Sequence, residues 1–415
     1  MGVNTHFIAT ICVMTVSVIV ATPTTPLANV DDSQSRDLSK SLEDFGTLLY
    51  SQIAKRSEQK NILFSPFSIE TNLAMLRLGA TGQTAAEIDN ALHLKFNDGE
   101  KLANSFEKIL SIYQNSDFLQ MANKIYIKDD LELRDEFNKL LAEHFFASAE
   151  NVNFTQNIKA AETINSWVAA KTNQLIKDLV SADDLSSETR LLLLNAIYFK
   201  GEWEHAFPEE GTRPQKFYVD ATNSVDVEMM HTYGDYRYGK IDQLDATALE
   251  MPYKNSDLYM LVILPNSRDA LEDLRIKLQS YSLQDIRDNM ALEKVTVKMP
   301  KFKTEYTIEL KETLKSLGIE RMFSKDAELE KMTNSSERLE VTKVLHKAFI
   351  EVNENGTKAA ASTGMYNKNS CSVVAPETLP FPPVYIYRFV VDHGFIYKIV
   401  NSDGIEFFEG SQSEF

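Results

Sequence analysis

The chain has 415 residues, 43% of them hydrophobic and 25% charged, enough to bury a large core. Its 43 Lys+Arg against 60 Asp+Glu leave a net charge of −17, which argues against a nucleic-acid partner, because such proteins present a basic face. No Pro/Gly/Ser-rich linker, low-complexity block or internal repeat divides the sequence, so one large domain is expected.

The N-terminus, MGVNTHFIATICVMTVSVIVATPTTPLA, carries an apolar run from Phe7 to Ala21. It is short for a bilayer span and lies where a secretory signal lies. Residues 1–21 are therefore expected to be a cleaved signal and 22–37 an N-terminal tail, with cleavage near Ala28 as the alternative. The n-region holds no Lys or Arg. The mature protein is then secreted and extracellular, and no later apolar run is long enough for a membrane helix. Cys12 leaves with the signal, so Cys371 is expected as a lone thiol with no internal disulfide. A large core makes a disulfide unnecessary even outside the cell.

From residue 38 the pattern turns helical. LSKSLEDFGTLLYSQIAK places Leu42, Phe45, Leu48, Leu49 and Ile53 on one face. TAAEIDNAL, KLANSFEKILSIYQ, LRDEFNKLLAEHF and KAAETINSWVAAKTNQLIKDLV repeat that spacing, so the first half reads as mainly helical. TRLLLLNAIYFKGEW is apolar throughout and bounded by charges, as a strand buried on both faces would be. LYMLVILP and KVTVKMPKF read as strands, the second alternating clearly, and FIEVNE, VYIYRFVVD and FIYKIV add more. Helices in front and strands behind predict an α+β fold with large sheets.

Signatures of catalysis are missing. The histidines, His6, His93, His144, His205, His231, His346 and His393, form no HExxH motif and no pair at helical metal-ligand spacing. There is no GxSxG, no Walker loop and no GxGxxG, and one mature cysteine rules out a thiolate zinc cluster. A triad assembled from distant residues leaves no local signature, but nothing here points to one. Neither an enzyme, a metal nor a cofactor is expected.

Four stretches carry a resemblance. NILFSPFSIETNLAMLRLGATGQTAAEI, LLLLNAIYFKGEWEHAF, VTKVLHKAFIEVNENGTKAAAST and RFVVDHGFIYKIV resemble the serpin family of serine protease inhibitors, with order and spacing that fit from about residue 38 to 410. The resemblance implies a single serpin domain over 38–415, with helices packed on large, mainly antiparallel β-sheets. It also implies an exposed reactive-centre loop over about 354–380. A target protease attacks that loop and forms an acyl-enzyme. The loop then inserts into the main sheet and drags the protease along before the acyl-enzyme hydrolyses. The partner implied is a serine protease, held covalently by a monomeric inhibitor.

The residues of the loop suit that role. Alternate strand positions face opposite sides. From Thr357 one side receives Thr357, Ala359, Ala361 and Thr363, all small and nearly apolar; the other receives Lys358, Ala360, Ser362 and Gly364. Gly356 supplies freedom at the hinge. Without the family, the strip reads as a flexible loop or a short helix, and isolated helices need roughly 12–15 residues. Other positions carry over singly. Ser65, Pro66, Asn195 and His346 resemble the shutter region beneath the opening sheet, although His346 alone would read as a core histidine. Trp203 resembles the breach tryptophan, and Glu354 with Lys301 resembles a salt-bridged pair at the top of the loop-side strand. Two solvated charges are the plainer reading of that pair, contributing about 0–1 kcal/mol.

The sequence departs from the family at Gly394, where a proline is usual, and in the polar ending FFEGSQSEF. The final strand therefore needs its own packing explanation. Cleavage is usual about fourteen residues after the hinge glycine, a span of about 46 Å at ~3.3 Å per residue. That count places the reactive bond at Ser370–Cys371, with Cys371–Ser372 and Lys368–Asn369 as alternatives, and the small residue favours an elastase-like enzyme. Sequons stand at Asn153 and Asn334, and at Asn355 within the hinge, where a glycan would hinder insertion. KFNDGEKLANSFEKILSIYQ has mixed charge, so strong heparin activation is not expected. The rival function is a non-inhibitory serpin: storage protein, carrier or chaperone.

Overall fold

The computed structural model of the chain describes residues 32–57, 59–94, 98–335, 337–357 and 385–415, with side chains from Leu38 onward. The first helix, α1 (Asp32–Arg56), begins inside the stretch 22–37 that was expected to be tail, and it buries Leu42, Phe45, Leu49 and Ile53. After β1 (Ile62–Phe64), α2 (Pro66–Gly79) starts where Ser65 caps it and Pro66 fills its first turn. This helix is buried on nearly all sides, including Ser68, Glu70, Thr71 and Asn72, so it is a central element and not a surface one. Next come α3 (Gly82–Ala91), α4 (Gly99–Tyr113), β2 (Leu119–Lys128), α5 (Asp135–Phe145) and β3 (Ser148–Val152).

Two features correct the helical reading of the first half. β2 and β3 lie within it, and the run that forms β2 has no clean period of two. α6 (Asn157–Lys171) also stops well short of the predicted 159–180. Asn173 and Gln174 take left-handed φ of 50° and 63°, and the Thr172 hydroxyl donates to the Val168 carbonyl at 2.8 Å. Ile176, Leu179 and Val180 are still buried, so their spacing reported burial without helix.

The strands follow: β4 (Leu191–Phe199), β5 (Arg213–Tyr218), β6 (Ser224–Ile241), β7 (Ala246–Pro252) and β8 (Leu258–Pro265). Short helices α7 (Leu271–Leu278) and α8 (Leu283–Asp288) precede β9 (Ala291–Pro300) and β10 (Phe302–Glu309). Then come α9 (Lys311–Ser316), β11 (Val341–Asn353), the two-residue β12 (Gly356–Thr357), β13 (Tyr387–Val390), β14 (Phe395–Asn401) and β15 (Glu406–Gln412).

Two sheets result. One runs β1-β15-β14-β8-β7-β6-β9-β13, with β5 also on β6. The other runs β10-β11-β4-β2-β3, with β12 on β11. Every residue of β4 is buried, Asn195 included, as its otherwise apolar run predicts. β4 and β11 pair in parallel from Val341↔Leu191 to Phe349↔Tyr198, so the middle of the second sheet is closed.

The polar final strand packs through pairing. All of β15 is buried. Lys398 on β14 holds both oxygens of Glu406 (2.8 and 2.9 Å) and Glu409 (3.0 Å). Thr304 donates to Gln412 at 2.8 Å. At Gly394 an added Cβ would stand 3.1 Å from Leu271. Among the described residues no helix is long and apolar enough to cross a membrane.

Candidate functional site

The site is the upper end of the β4–β11 seam, where the chain leaves the sheet. β11 ends at Asn353, and a tight turn through Glu354 and Asn355 reverses the chain, so that Thr357 pairs back on Val352. Gly356 has φ +149°, and a Cβ on it would lie 2.0 Å from the Gly201 carbonyl oxygen. Only glycine fits this crossing. Gly356 also bridges Glu202 in antiparallel sense, just beyond β4. Thr357 is completely buried, and its N–H donates to the Gly201 carbonyl at 2.6 Å.

Trp203 fastens the turn from β4's side. Its indole N–H donates to the Asn353 carbonyl at 3.0 Å, and its backbone N–H to the Asn355 carbonyl at 2.9 Å. Its ring stacks on Tyr253, centroids 4.6 Å apart and planes at 13°. The Tyr253 hydroxyl lies 3.0 Å from the Thr357 hydroxyl. Sequence reasoning missed Tyr253. It follows β7 with no motif around it, and only the sheet brings it under the loop.

Glu354 and Lys301 form an ion pair of 2.9 Å, and Thr212 donates to the other Glu354 oxygen at 2.8 Å. Glu354 is 7% exposed, so this is more than a pair of solvated charges. Burial works to raise its carboxyl, but Lys301, the residue's own backbone N–H and Thr212 outweigh that and hold it below the usual range.

Beneath the middle of the seam lies a buried polar network. Ser65 N–H donates to His346 Nε2 at 3.1 Å, and His346 Nδ1 contacts Asn195 Oδ1. A backbone N–H can only donate, so Nε2 is the bare nitrogen and Nδ1 carries the proton. The neutral ring agrees with a pKa pushed down by burial to about 3. Asn195 Nδ2 donates to the Ser68 carbonyl (2.8 Å) and to Asn123 Oδ1 (2.6 Å). The network thus spans β2, β4 and β11 and the first turn of α2, with Pro66 starting that turn.

The structure therefore brings Trp203, Lys301, Glu354, Gly356 and Thr357 together at the top of the seam, and Ser65, Pro66, Asn195 and His346 beneath it. Ala359, Ala360, Ala361, Ser362 and Thr363 lie outside the described residues, as do Lys368, Asn369, Ser370, Cys371 and Ser372. Asn153 and Asn334 stand away from the seam. Asn153 Oδ1 accepts the Thr155 N–H at 3.0 Å, and Asn334 is exposed on a loop beside Glu132. Among the described residues no cluster of His, Cys, Asp or Glu could hold a metal ion.

Comparison with known proteins agrees with the geometry. The family model described as Serpin (serine protease inhibitor) matches residues 40–411. Mouse neuroserpin is 34% identical over 381 residues, covering 89% of this chain and 90% of the relative. The solved structure "Cleaved Serpin 42Da" superposes with a TM-score of 0.82 at 43% identity, covering 92% of this chain and 99% of that one. Serpin48 of the insect Tenebrio molitor, described as highly specific, gives 0.83 at 32% identity, covering 93% and 100%.

Proposed function

The chain belongs to the serpin family, and from that premise we propose that it is a suicide-substrate inhibitor of serine proteases, with an elastase-like target. The observation that carries this reading is the docked hinge: Thr357 is already buried between Val352 and Gly201, aligned antiparallel to both neighbouring backbones. β4 and β11 are parallel, so a strand continuing from Thr357 between them runs antiparallel to each. Insertion would exchange one parallel ladder for two antiparallel ones, and parallel pairing is the weaker per residue. Small residues at Ala359, Ala361 and Thr363 can follow Thr357 into the seam with little to displace.

The same reading assigns Glu354, Gly356 and Thr357 to the hinge, Trp203 and Lys301 to its anchoring, and Ser65, Pro66, Asn195 and His346 to the closed seam. The network must exchange hydrogen bonds as β4 and β11 part, since a buried polar group left unpaired costs about 1–3 kcal/mol. Ser370–Cys371 is the proposed reactive bond. A small residue there fits a shallow primary pocket, and a trypsin-like enzyme would instead choose Lys368.

Mixing the protein with elastase is expected to give a covalent complex that survives boiling in SDS. The released peptide should begin at Cys371 or Ser372, and prior treatment with iodoacetamide should slow the reaction. Cleavage without complex would favour a non-inhibitory member, and a peptide beginning at Asn369 would reassign the bond.

We also propose secretion, with glycans at Asn153 and Asn334 but not at Asn355. The Asn355 carbonyl is bound by Trp203 in the tight turn, next to a glycine with no room for a Cβ. Peptide mass spectrometry of the secreted protein checks this. Full occupancy at Asn355 with inhibition intact would refute the assignment.

A further inference from the structure

Glu70 sits in α2, five residues after the Ser65 cap, and is fully enclosed. Neither of its carboxyl oxygens has a hydrogen-bond partner among the described residues. The charge that acts on it is another carboxylate, Glu406 of β15. Glu406 shares the single Lys398 ammonium of β14 with Glu409. The core of the cluster thus sets three carboxyls against one ammonium.

The surrounding groups do not make up the difference. Glu43 of α1 adds a negative charge towards both β15 carboxylates. Arg275 of α7 acts on Glu409 and donates to the Tyr50 hydroxyl of α1 at 3.2 Å. Beyond β15, Tyr259 of β8 adjoins Glu250 of β7, Arg287 of α8 and Arg237 of β6, and the Arg287–Glu250 pair closes on itself at 2.8 Å. Tyr113 of α4 turns its hydroxyl to Asp257 and Asn401. Along α2, Arg77 pairs with Asp89 of α3, and His346 of β11 accepts from Ser65. Among the described residues no cation pairs with Glu70.

An ionised Glu70 would be a buried charge with no partner beside a like charge. Burial first, and Glu406 second, push its carboxyl well above the usual range. We propose that Glu70 is a proton-holding site that ties the strength of the native fold to pH, the fold weakening as pH rises and this carboxyl must ionise.

The sign follows from linkage. The unfolded chain releases the Glu70 proton near the ordinary value of 4.5, whereas the native fold keeps it. The native state then binds more protons, and its stability falls with rising pH, by up to about tenfold in the native-to-unfolded ratio per pH unit. His346 has the opposite sign. Its fold-imposed neutrality costs stability only as pH falls below its ordinary 6.5. A window of about pH 7 to 9 therefore isolates the carboxyls. α2 carries Ser65 and Ser68 of the network under the seam, so ionisation strains the helix that supports the closed sheet.

The test is the pH dependence of unfolding of the full chain, wild type against Glu70→Gln, in that window. Wild type is expected to lose stability as pH rises. The variant should overtake it, with a slope flatter by about one proton, or roughly tenfold in the folding constant per pH unit. Parallel curves would overturn the proposal. Should Glu70→Gln fold poorly, Glu70→Ser offers a smaller neutral side chain for the same comparison. Independently, infrared spectra in heavy water should show, in the wild type at neutral pH, a protonated-carboxyl carbonyl band that Glu70→Gln removes, which separates Glu70 from Glu406 and Glu409, whose carboxyls burial also raises. Absence of that band at neutral pH would also overturn it. None of these measurements uses a protease, so they stand apart from the inhibitory reading.

Discussion

Thr357→Arg is expected to turn the inhibitor into a substrate. Thr357 is fully enclosed, its hydroxyl 3.0 Å from Tyr253 and its N–H bound to Gly201. An arginine there must either bury an unpaired cation, at a cost of several kcal/mol, or hold the hinge out of the seam. Either outcome delays insertion while leaving the acyl-enzyme free to hydrolyse. About 1.4 kcal/mol on the insertion barrier already changes the partition tenfold. The stoichiometry of inhibition should therefore rise by about tenfold or more, with loop cleavage continuing at its former rate. Titration of a fixed amount of protease measures it, and an unchanged stoichiometry would sink the insertion model. Thr357→Ser keeps the hydroxyl and the small volume, so it should stay close to wild type.

Cutting the loop is expected to raise the melting temperature by on the order of 20 °C. In the intact chain β4 and β11 are held together by a single parallel ladder. Once cut after about Ser370, the strip beginning at Thr357 can lie between them with no strain at its far end. The net gain is roughly ten ladder hydrogen bonds at ~1 kcal/mol each. At about 2 °C per kcal/mol for a large domain, that gives the stated shift. Calorimetry of intact and nicked protein at one pH is the measurement. Equal melting points would mean that the strip does not enter the sheet, and would favour a storage, carrier or chaperone role.

Much was legible in the sequence by itself because it depends on neighbours along the chain. The run Leu191–Phe199, apolar but for Asn195 and bounded by charges, reads as a strand buried on both faces, and it is one. The helical faces of α1, α3, α4 and α5 follow from spacing, except that Leu48, which the spacing put on the α1 face, is exposed. The small-residue strip after Gly356 is legible too, since side-chain size is a property of the residue. Where the reading overran, the cause was still local but of another kind. Past Lys171 the apolar spacing continues, yet two left-handed residues and the Thr172 hydroxyl end the helix, and hydrophobic periodicity does not register backbone conformation.

What only the tertiary structure decided depends on residues far apart in the chain. Tyr253 and Thr357 are separated by 104 positions, and no pattern joins them until β7 and β11 are folded. The same holds for His346, Asn195 and Ser65, whose hydrogen bonds set which ring nitrogen bears the proton. The polar ending FFEGSQSEF looked ill-suited to a buried strand because its counter-charge, Lys398, lies on the neighbouring strand β14. Glu70 shows the limit most clearly. In the sequence it is one carboxylate among sixty acidic residues in a helix. Only packing α2 onto β15 strips both its oxygens of water and sets it beside Glu406, because solvation and electrostatic energy depend on three-dimensional distance and not on order along the chain.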